Sequence, residues 1–387
     1  MLKSSEMSLS NRRILVTGAN GFIGQNLVVQ LAELEGVSVL TFVRGDDVGT
    51  LPQLLSQVDA VVHLAGENRP ADPAAFSEVN AGLTEILCDV IRNEHAASGR
   101  RIAFLFASST QAEQDNPYGR SKLAAEQAVE QLATDIGNDV GVFRLPGVFG
   151  KWCKPNYNSV VATFCHNLAR GLAIEIHDPN AVLRLVYIDD VVSTFIQALE
   201  KAEAGFSFER VEPEYSLTLG QLADQIRAFD ACRTSLMSER VGTGLVRALY
   251  ATYVSCLPSE KFSYKVPVHG DARGVFVEML KTKDSGQFSF FTAHPGVTRG
   301  AHYHHSKTEK FLVIKGEARF GFRHMVTGEF HELYTSGDVS QIVETVPGWT
   351  HDVTNVGDEE LICMLWANEI FDREMPDTFA CPVRSDI

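Results

Sequence analysis

Over the first 200 residues, short apolar runs alternate with longer segments whose apolar positions recur every three or four residues. Residues 13–17 (RILVT), 37–43, 58–65 (VDAVVHLA), 102–108 (IAFLFAS) and 140–145 read as buried strands. Residues 25–34 (QNLVVQLAEL), 83–91 and 118–136 carry helical spacing between them. That alternation predicts a doubly wound α/β fold, a parallel sheet with helices on both faces. After residue 260 the texture changes. Runs such as 287–293 and 310–314 alternate with Gly, Pro, Asp and His, which predicts an all-β sandwich or barrel. Residues 218–229 are helical, with Thr218 as N-cap, and 245–256 read as a connecting helix stopped by Pro258. The predicted organisation is a first domain over 1–245, a linker helix over 246–261 and an all-β domain over 262–387.

Composition narrows the classes of function. A net charge of −15 over 387 residues excludes a dedicated nucleic-acid surface, which needs a basic stripe. It leaves room for anionic small ligands, held by local amides and arginines. The seven cysteines are odd in number and form no C-x-x-C pair, so they read as reduced thiols in a cytoplasmic protein. No apolar run is long enough to span a membrane, and residues 1–11 hold no hydrophobic signal core.

The first strand runs straight into Gly18-Ala19-Asn20-Gly21-Phe22-Ile23-Gly24 and then a helix. Glycines there permit a tight turn and let the backbone approach a pyrophosphate at the positive end of the helix. The G-x-x-G-x-x-G spacing resembles the extended branch of the short-chain dehydrogenase/reductases, with a Rossmann-like fold. By that resemblance His63-Leu64-Ala65-Gly66 and Asn80 lie on the cofactor side. Tyr118 and Lys122, four apart, share one helical face, where the lysine charge lowers the phenol pKa and lets it pass a proton near neutral pH. Ser109, with Thr110 next, stands where the family keeps its third hydroxyl. The second strand leads into Arg44 where an acid would bind a ribose 2′-OH, and a guanidinium there suits the 2′-phosphate of NADPH. Only about 14 residues separate Arg44 from the strand beginning near Asp59, so the further strand of extended members is expected to be missing.

Arg144-Leu-Pro-Gly-Val-Phe-Gly150 resembles the R-x-x-x-V-[FY]-G segment of extended reductases acting on nucleotide sugars, and Val186-Tyr-Ile-Asp-Asp-Val191 resembles a second segment of the same group. Arg144, Lys151, Asn158 and Arg184 are the candidate substrate contacts. Further on, Gly296-(x5)-His302-x-His304-(x4)-Glu309-(x6)-Gly316 matches the first cupin motif at every spacing. Pro347-Gly348-Trp349-Thr350-His351-(x3)-Asn355 resembles the second, with its turn shortened. The cupin resemblance implies a double-stranded β-helix, a jelly roll. Histidines at i and i+2 point to one face of a strand. His302, His304, Glu309 and His351 then make three imidazoles and one carboxylate, a set suited to a divalent metal such as zinc.

A short-chain reductase followed by a cupin resembles the bifunctional capsular-polysaccharide nucleotide-sugar epimerase/reductases. The resemblance implies a UDP-2-acetamido-2,6-dideoxy-4-hexulose substrate on the route to UDP-N-acetyl-L-fucosamine. It implies C3 epimerisation by the cupin, C4 reduction with NADPH, and a homodimer. The alternative is a single-activity reductase whose cupin only dimerises or regulates. For the epimerisation, Lys307, Tyr303, His305 and Lys310 are all acid–base candidates near the motif.

Overall fold

A computed structural model describes residues 9, 11–68, 76–201, 204–266, 268–271, 274–277, 280–282, 287–369 and 374–384. The chain forms two compact units: Met1–Val148 with Arg184–Tyr215, and Phe149–Leu183 with Ser216–Ile387.

The first unit is a Rossmann-like sheet. Strands β1 (Arg13–Thr17), β2 (Ser38–Phe42), β3 (Ala60–His63), β4 (Ala103–Ser109), β5 (Asp139–Leu145) and β6 (Gly205–Glu209) lie in the order β2-β1-β3-β4-β5-β6. Every pairing is parallel. Parallel strands are covered on both faces, which is why β3 and β4 are buried at every position and read as apolar runs up to their polar C-terminal ends, His63 and Ser108–Ser109. The covering helices are α1 (Phe22–Ala32), α2 (Leu51–Leu55), α3 (Leu83–Ser98), α4 (Pro117–Ile136) and α5 (Ile188–Lys201). Leu87 and Ile91 of α3 and Val129 and Leu132 of α4 close on Phe104, Phe106 and Val142 of the sheet. Helix α4 starts where Asn116 accepts the Gly119 N–H at 2.8 Å, with Pro117 in its first turn, and stops at a left-handed Gly137. Between β2 and β3 stand only a short 3-10 turn and the five-residue α2, so the missing strand foreseen from the sequence is indeed absent.

In the second unit, the β-rich part is built mainly on two five-stranded antiparallel sheets. One orders Ser263–Lys265, Gln341–Glu344, Glu309–Lys315, Leu361–Ala367 and Gln287–Ala293; the other orders Phe330–Ser336, Glu317–His324, Trp349–Asn355, Thr298–Tyr303 and Phe379–Ala380. Phe311, Phe320, Phe322, Ile342, Val353 and Trp366 are buried in this part, giving a cupin-like β domain. The unit reaches further upstream than the change of texture near residue 260 indicates: it includes helices α6 (Leu219–Ser235) and α7 (Gly244–Ser255), and ion pairs link both to the β-rich part. Arg233 of α6 and Lys310 both pair with the buried Glu344, and Arg247 of α7 pairs with Glu369 at 3.1 Å. Burial alone would raise the Glu344 carboxyl, but Lys310 and Arg233 hold it below its ordinary value. Glu344→Leu strands two buried cations and is expected to destabilise this unit by about 3–5 kcal/mol. The chain's three tryptophans, Trp152, Trp349 and Trp366, all belong to it, so the urea midpoint followed by selectively excited tryptophan fluorescence reports on this unit.

Candidate functional sites

The glycine turn between β1 and α1 is built for close approach. Gly18 has φ +69°, and a Cβ there would stand 2.7 Å from the Ala65 nitrogen; one at Gly24 would stand 2.4 Å from the Gly18 oxygen. Side chains at either position would push the turn away from the loop after β3 or from α1. Gly21 caps α1 without a side-chain acceptor, and the first helical turn carries no acid, so its amides suit an anion. Asn20, Phe22 and Ile23 complete this turn. Thr17, at the end of β1, holds the opposing loop: its hydroxyl accepts the Leu64 and Ala65 amides at 3.2 Å and meets His63 Nδ1 at 2.6 Å. The other His63 nitrogen meets Thr84, whose hydroxyl donates to the Asn80 carbonyl, so His63 donates from Nε2 and accepts at Nδ1. Burial, with Lys122 nearby, lowers the His63 pKa to about 3 and keeps this bridge neutral. Sequence reasoning missed Thr17 as part of the site, because a threonine ending a strand looks like any β-former.

Gly66, Asn80 and Lys122 converge. A Cβ on Gly66 would lie 3.0 Å from Asn80 Oδ1 and 3.4 Å from Lys122 Nζ. Asn80 is buried in a π-helical turn, accepts the Glu67 amide at 2.7 Å and donates to the Glu67 carbonyl and to Ser121 Oγ. Lys122 is 6% exposed, donates to the Ala107 carbonyl at 2.9 Å and lies over the Phe106 ring. Burial, only partly offset by Glu126, lowers its pKa to about 8. Tyr118 stands one turn earlier on α4, edge-on to Phe76 with centroids 5.6 Å apart. Of the three hydroxyls ending β4, Ser108 is committed to Glu126 at 2.5 Å, whereas Ser109 accepts only the local Gln111 amide among its described bonds. Arg44 is 82% exposed and pairs with Glu67 at 2.5 Å, which places its guanidinium beside the loop that holds Gly66.

The candidate substrate residues have other engagements. Arg144 grips Glu126 through Nε and a terminal nitrogen and reaches Glu113 at 2.7 Å, stacking on Phe208. Arg184 makes two bonds to Glu214, at 2.5 and 3.0 Å. In the second unit Lys151 is 1% exposed and lies over the Trp152 ring, so it is no solvated loop lysine, whereas Asn158 is exposed.

His302, His304, Glu309 and His351 come together as their spacing foresaw. One ligand atom from each lies within 4.8 Å of every other. His302 is opposite His351 in adjacent strands, and Glu309 opens the strand after the His304–Thr308 turn. Burial, then His351 and His304, lower the His302 pKa to about 4. Burial works against the Glu309 charge, but His304 and His351 hold that carboxyl well below its usual range. Both His351 ring nitrogens are buried without a hydrogen-bond partner, although Nε2 approaches Glu309 to 3.4 Å. A buried imidazole with no hydrogen-bond partner, its lone pair free beside a carboxylate and two further imidazoles, is what a divalent ion would satisfy, so the donor set fits one. Of the four acid–base candidates, Lys307 has its ammonium 3.2 Å from Glu309 Oε1. Lys310 is instead fully buried on Glu344, and Tyr303 and His305 pack against Phe379.

Residues 14–212 match the NAD dependent epimerase/dehydratase family, and residues 269–379 match the polysaccharide biosynthesis C-terminal domain. The chain is 58% identical over 371 residues to the UDP-2-acetamido-2,6-beta-L-arabino-hexul-4-ose reductase of Pseudomonas aeruginosa, covering 96% of this chain and 99% of the relative. It is similar to the crystal structure of the capsular polysaccharide assembling protein CapF of Staphylococcus aureus, at 39% identity and TM-score 0.64, over 96% of this chain and 100% of that one. The Bordetella bronchiseptica enzyme WbmF in complex with NAD+ shares the fold of the nucleotide-binding half, at 19% identity and TM-score 0.52 over 58% of this chain and 79% of that one. The chain therefore belongs to the NAD dependent epimerase/dehydratase family, in the group that joins a Rossmann-like reductase to a C-terminal polysaccharide-biosynthesis β domain.

Proposed function

We propose that this chain epimerises C3 of a UDP-2-acetamido-2,6-dideoxy-4-hexulose in its cupin and then reduces the C4 ketone with NADPH, giving the talose-configured precursor of UDP-N-acetyl-L-fucosamine. The observation that carries this reading is the end-to-end likeness, at 58% identity, to a relative named as a UDP-hexul-4-ose reductase. Support from geometry comes from the Gly66–Asn80–Lys122 convergence, with Tyr118 one turn before Lys122 on the same helix, and from the His302–His304–Glu309–His351 cage. The order follows from chemistry. The C4 carbonyl acidifies the C3 proton, so inversion precedes the reduction that removes the carbonyl.

NADPH, when bound, supplies hydride. The pyrophosphate would rest on Gly18–Gly24, with Leu64, Ala65 and Gly66 opposite, and Tyr118 would give its phenolic proton to the C4 oxygen. Lys122, charged below about pH 8, favours the phenolate left behind, and Ser109 holds the substrate oxygen. Arg144, Lys151, Asn158 and Arg184 remain the proposed contacts to the UDP-sugar; Arg144 and Arg184 would have to share their guanidiniums with Glu126, Glu113 and Glu214. In the cupin, a divalent ion, zinc by preference, supplies Lewis acidity when bound. We assign Lys307 as the cationic group beside the epimerising carbon, on its distance to Glu309. The catalytic module is residues 262–387 with helices α6 and α7 as its support. We place the enzyme in the cytoplasm as a homodimer, with no membrane partner; among the described residues no helix is long and apolar enough to cross one.

The test is incubation of a UDP-4-keto-6-deoxy-HexNAc with NADPH in D2O, followed by proton NMR. Deuterium at C3 and at no other ring carbon, together with an alcohol at C4, is the expected product. Reduction without deuterium at C3 would leave a single-activity reductase. For the cofactor, Arg44→Ala is expected to weaken NADPH binding about tenfold, as for loss of one charged hydrogen bond at an exposed site, and to leave NADH nearly unchanged. Fluorescence titration of both nucleotides checks this, and an equal loss for both would remove Arg44 from the 2′-phosphate.

A further inference from the structure

The segment from Asp377 to Cys381 returns to the cage and lies along it. Phe379–Ala380 pairs antiparallel with the strand that carries His302, placing Ala380 opposite His302 and Phe379 opposite Tyr303. The Cys381 amide donates to the Ala301 carbonyl at 2.8 Å, and the Thr350 hydroxyl donates to the Cys381 carbonyl. At the head of this segment Asp377 faces the turn between His304 and Glu309. Its Oδ1 accepts the His305 amide at 2.8 Å. Its Oδ2 accepts the Ser306 and Lys307 amides, both at 2.7 Å, and the Ser306 hydroxyl at 3.0 Å. Three consecutive amides aimed at one carboxylate form an anion nest, filled here by the chain's own side chain. The backbone of the same residue completes the arrangement, since the Asp377 carbonyl accepts from His304 Nδ1. A proton fixed on Nδ1 leaves the Nε2 lone pair, 3.2 Å from Glu309 Oε2, facing the cage.

We propose that Asp377 is a positioning residue for the cupin centre: one residue locks the tautomer of His304 with its carbonyl and the His305–Lys307 turn with its carboxylate. It thereby sets one ligand and the Lys307 ammonium together. The inference rests on the metal reading given above. Its physical core is that only an acceptor fits the nest. A carboxylate has no proton to turn toward the amides, whereas an asparagine of the same shape would direct its NH2 at one or more of them. The turn would then open, and His304 would lose both its place and its preferred tautomer. No signal in the sequence marks Asp377, which lies 68 positions after Glu309 by numbering (377 − 309) and outside both cupin motifs.

The experiment uses the full-length protein stripped of metal and titrated with Co2+, with visible spectra recorded and Zn2+ affinity then measured by competition with a chromophoric chelator. Wild type is expected to take one ion per chain. Asp377→Asn should bind about 10- to 100-fold more weakly, the range for losing an outer partner of a ligand, with altered ligand-field bands. A role confined to tail docking would leave those bands unchanged in whatever fraction still binds. Ser306→Ala removes one of the four bonds to the carboxylate and should weaken binding severalfold. A wild type that takes no ion overturns the metal reading itself. A wild type that binds, with an Asp377→Asn protein of equal affinity and identical spectrum, overturns this inference alone. If Asp377→Asn does not fold, Ser306→Ala decides: unchanged affinity and spectrum overturn the inference, and severalfold weakening with shifted bands supports it.

Discussion

Tyr118→Phe is expected to lower C4 reduction by about 10²-fold or more while NADPH still binds, because the variant loses a positioned proton donor and keeps the ring. The ring has a structural place of its own, edge-on to Phe76, and phenylalanine preserves that contact. Lys122 would keep its bond to the Ala107 carbonyl and its position against Gly66, so the nucleotide side of the site should not reorganise. The variant also isolates the first half of the proposed reaction. In D2O it should exchange the C3 proton with no NADPH consumed and accumulate the epimerised ketone. Stopped-flow NADPH oxidation and proton NMR on the same samples measure both halves. Turnover near that of wild type would remove Tyr118 from the role of acid.

The parts of this molecule most legible in the sequence are those in which one local pattern must do one local job. The glycine turn is readable because Gly18 and Gly24 sit where any Cβ would strike backbone. The cage is readable because an i, i+2 spacing in extended backbone can bring two imidazoles together; His302 lies in the strand Thr298–Tyr303, His304 just past its end, and Glu309 opens the next strand. What escaped were groups whose meaning depends on a distant partner. Arg144 reads from the sequence as a substrate contact with no other duty, whereas Glu126, 18 positions earlier, also holds it; the helix that carries Tyr118 and Lys122 supplies that glutamate. Lys310 looks like an acid–base candidate by its nearness to Glu309, but alternation sends it to the other face, where it pairs with Glu344, a carboxylate shared with Arg233. Lys307 escapes the same fate because it lies in the turn before the strand begins. The extent of the second unit was hidden for the same reason: helices α6 and α7 carry no motif of their own, and it is distant partners, Glu344 for Arg233 and Glu369 and Ser306 for Arg247, that link them to the β-rich part.

His351→Gln gives the complementary result. The glutamine fills part of the buried space left by the imidazole but offers a neutral amide in place of a nitrogen lone pair, so the cage falls from three imidazoles and a carboxylate to two and one. Metal affinity should fall by at least about 10²-fold, beyond the loss expected for an outer partner. The two neighbours would feel the change differently. His302, whose pKa is lowered to about 4 by burial and by the other two rings, loses one source of that repulsion. Glu309 loses one of the two partners that hold its carboxyl ionised against burial. Both changes favour protons in place of a metal, so the defect should deepen as pH falls from 7 toward 5. Wild type, whose ligands a bound ion would keep deprotonated, should resist that acid better when metal is present in excess. Plasma-emission analysis of the dialysed protein measures the ion, and C3 proton exchange in D2O without NADPH measures the chemistry. In the variant both should be lost together, while reduction of a ketone supplied already epimerised should continue. A metal-free His351→Gln protein that exchanged the C3 proton at the wild-type rate would make the cupin a metal-independent epimerase. One that lost exchange and reduction in equal measure would show that the two chemistries do not separate along the chain.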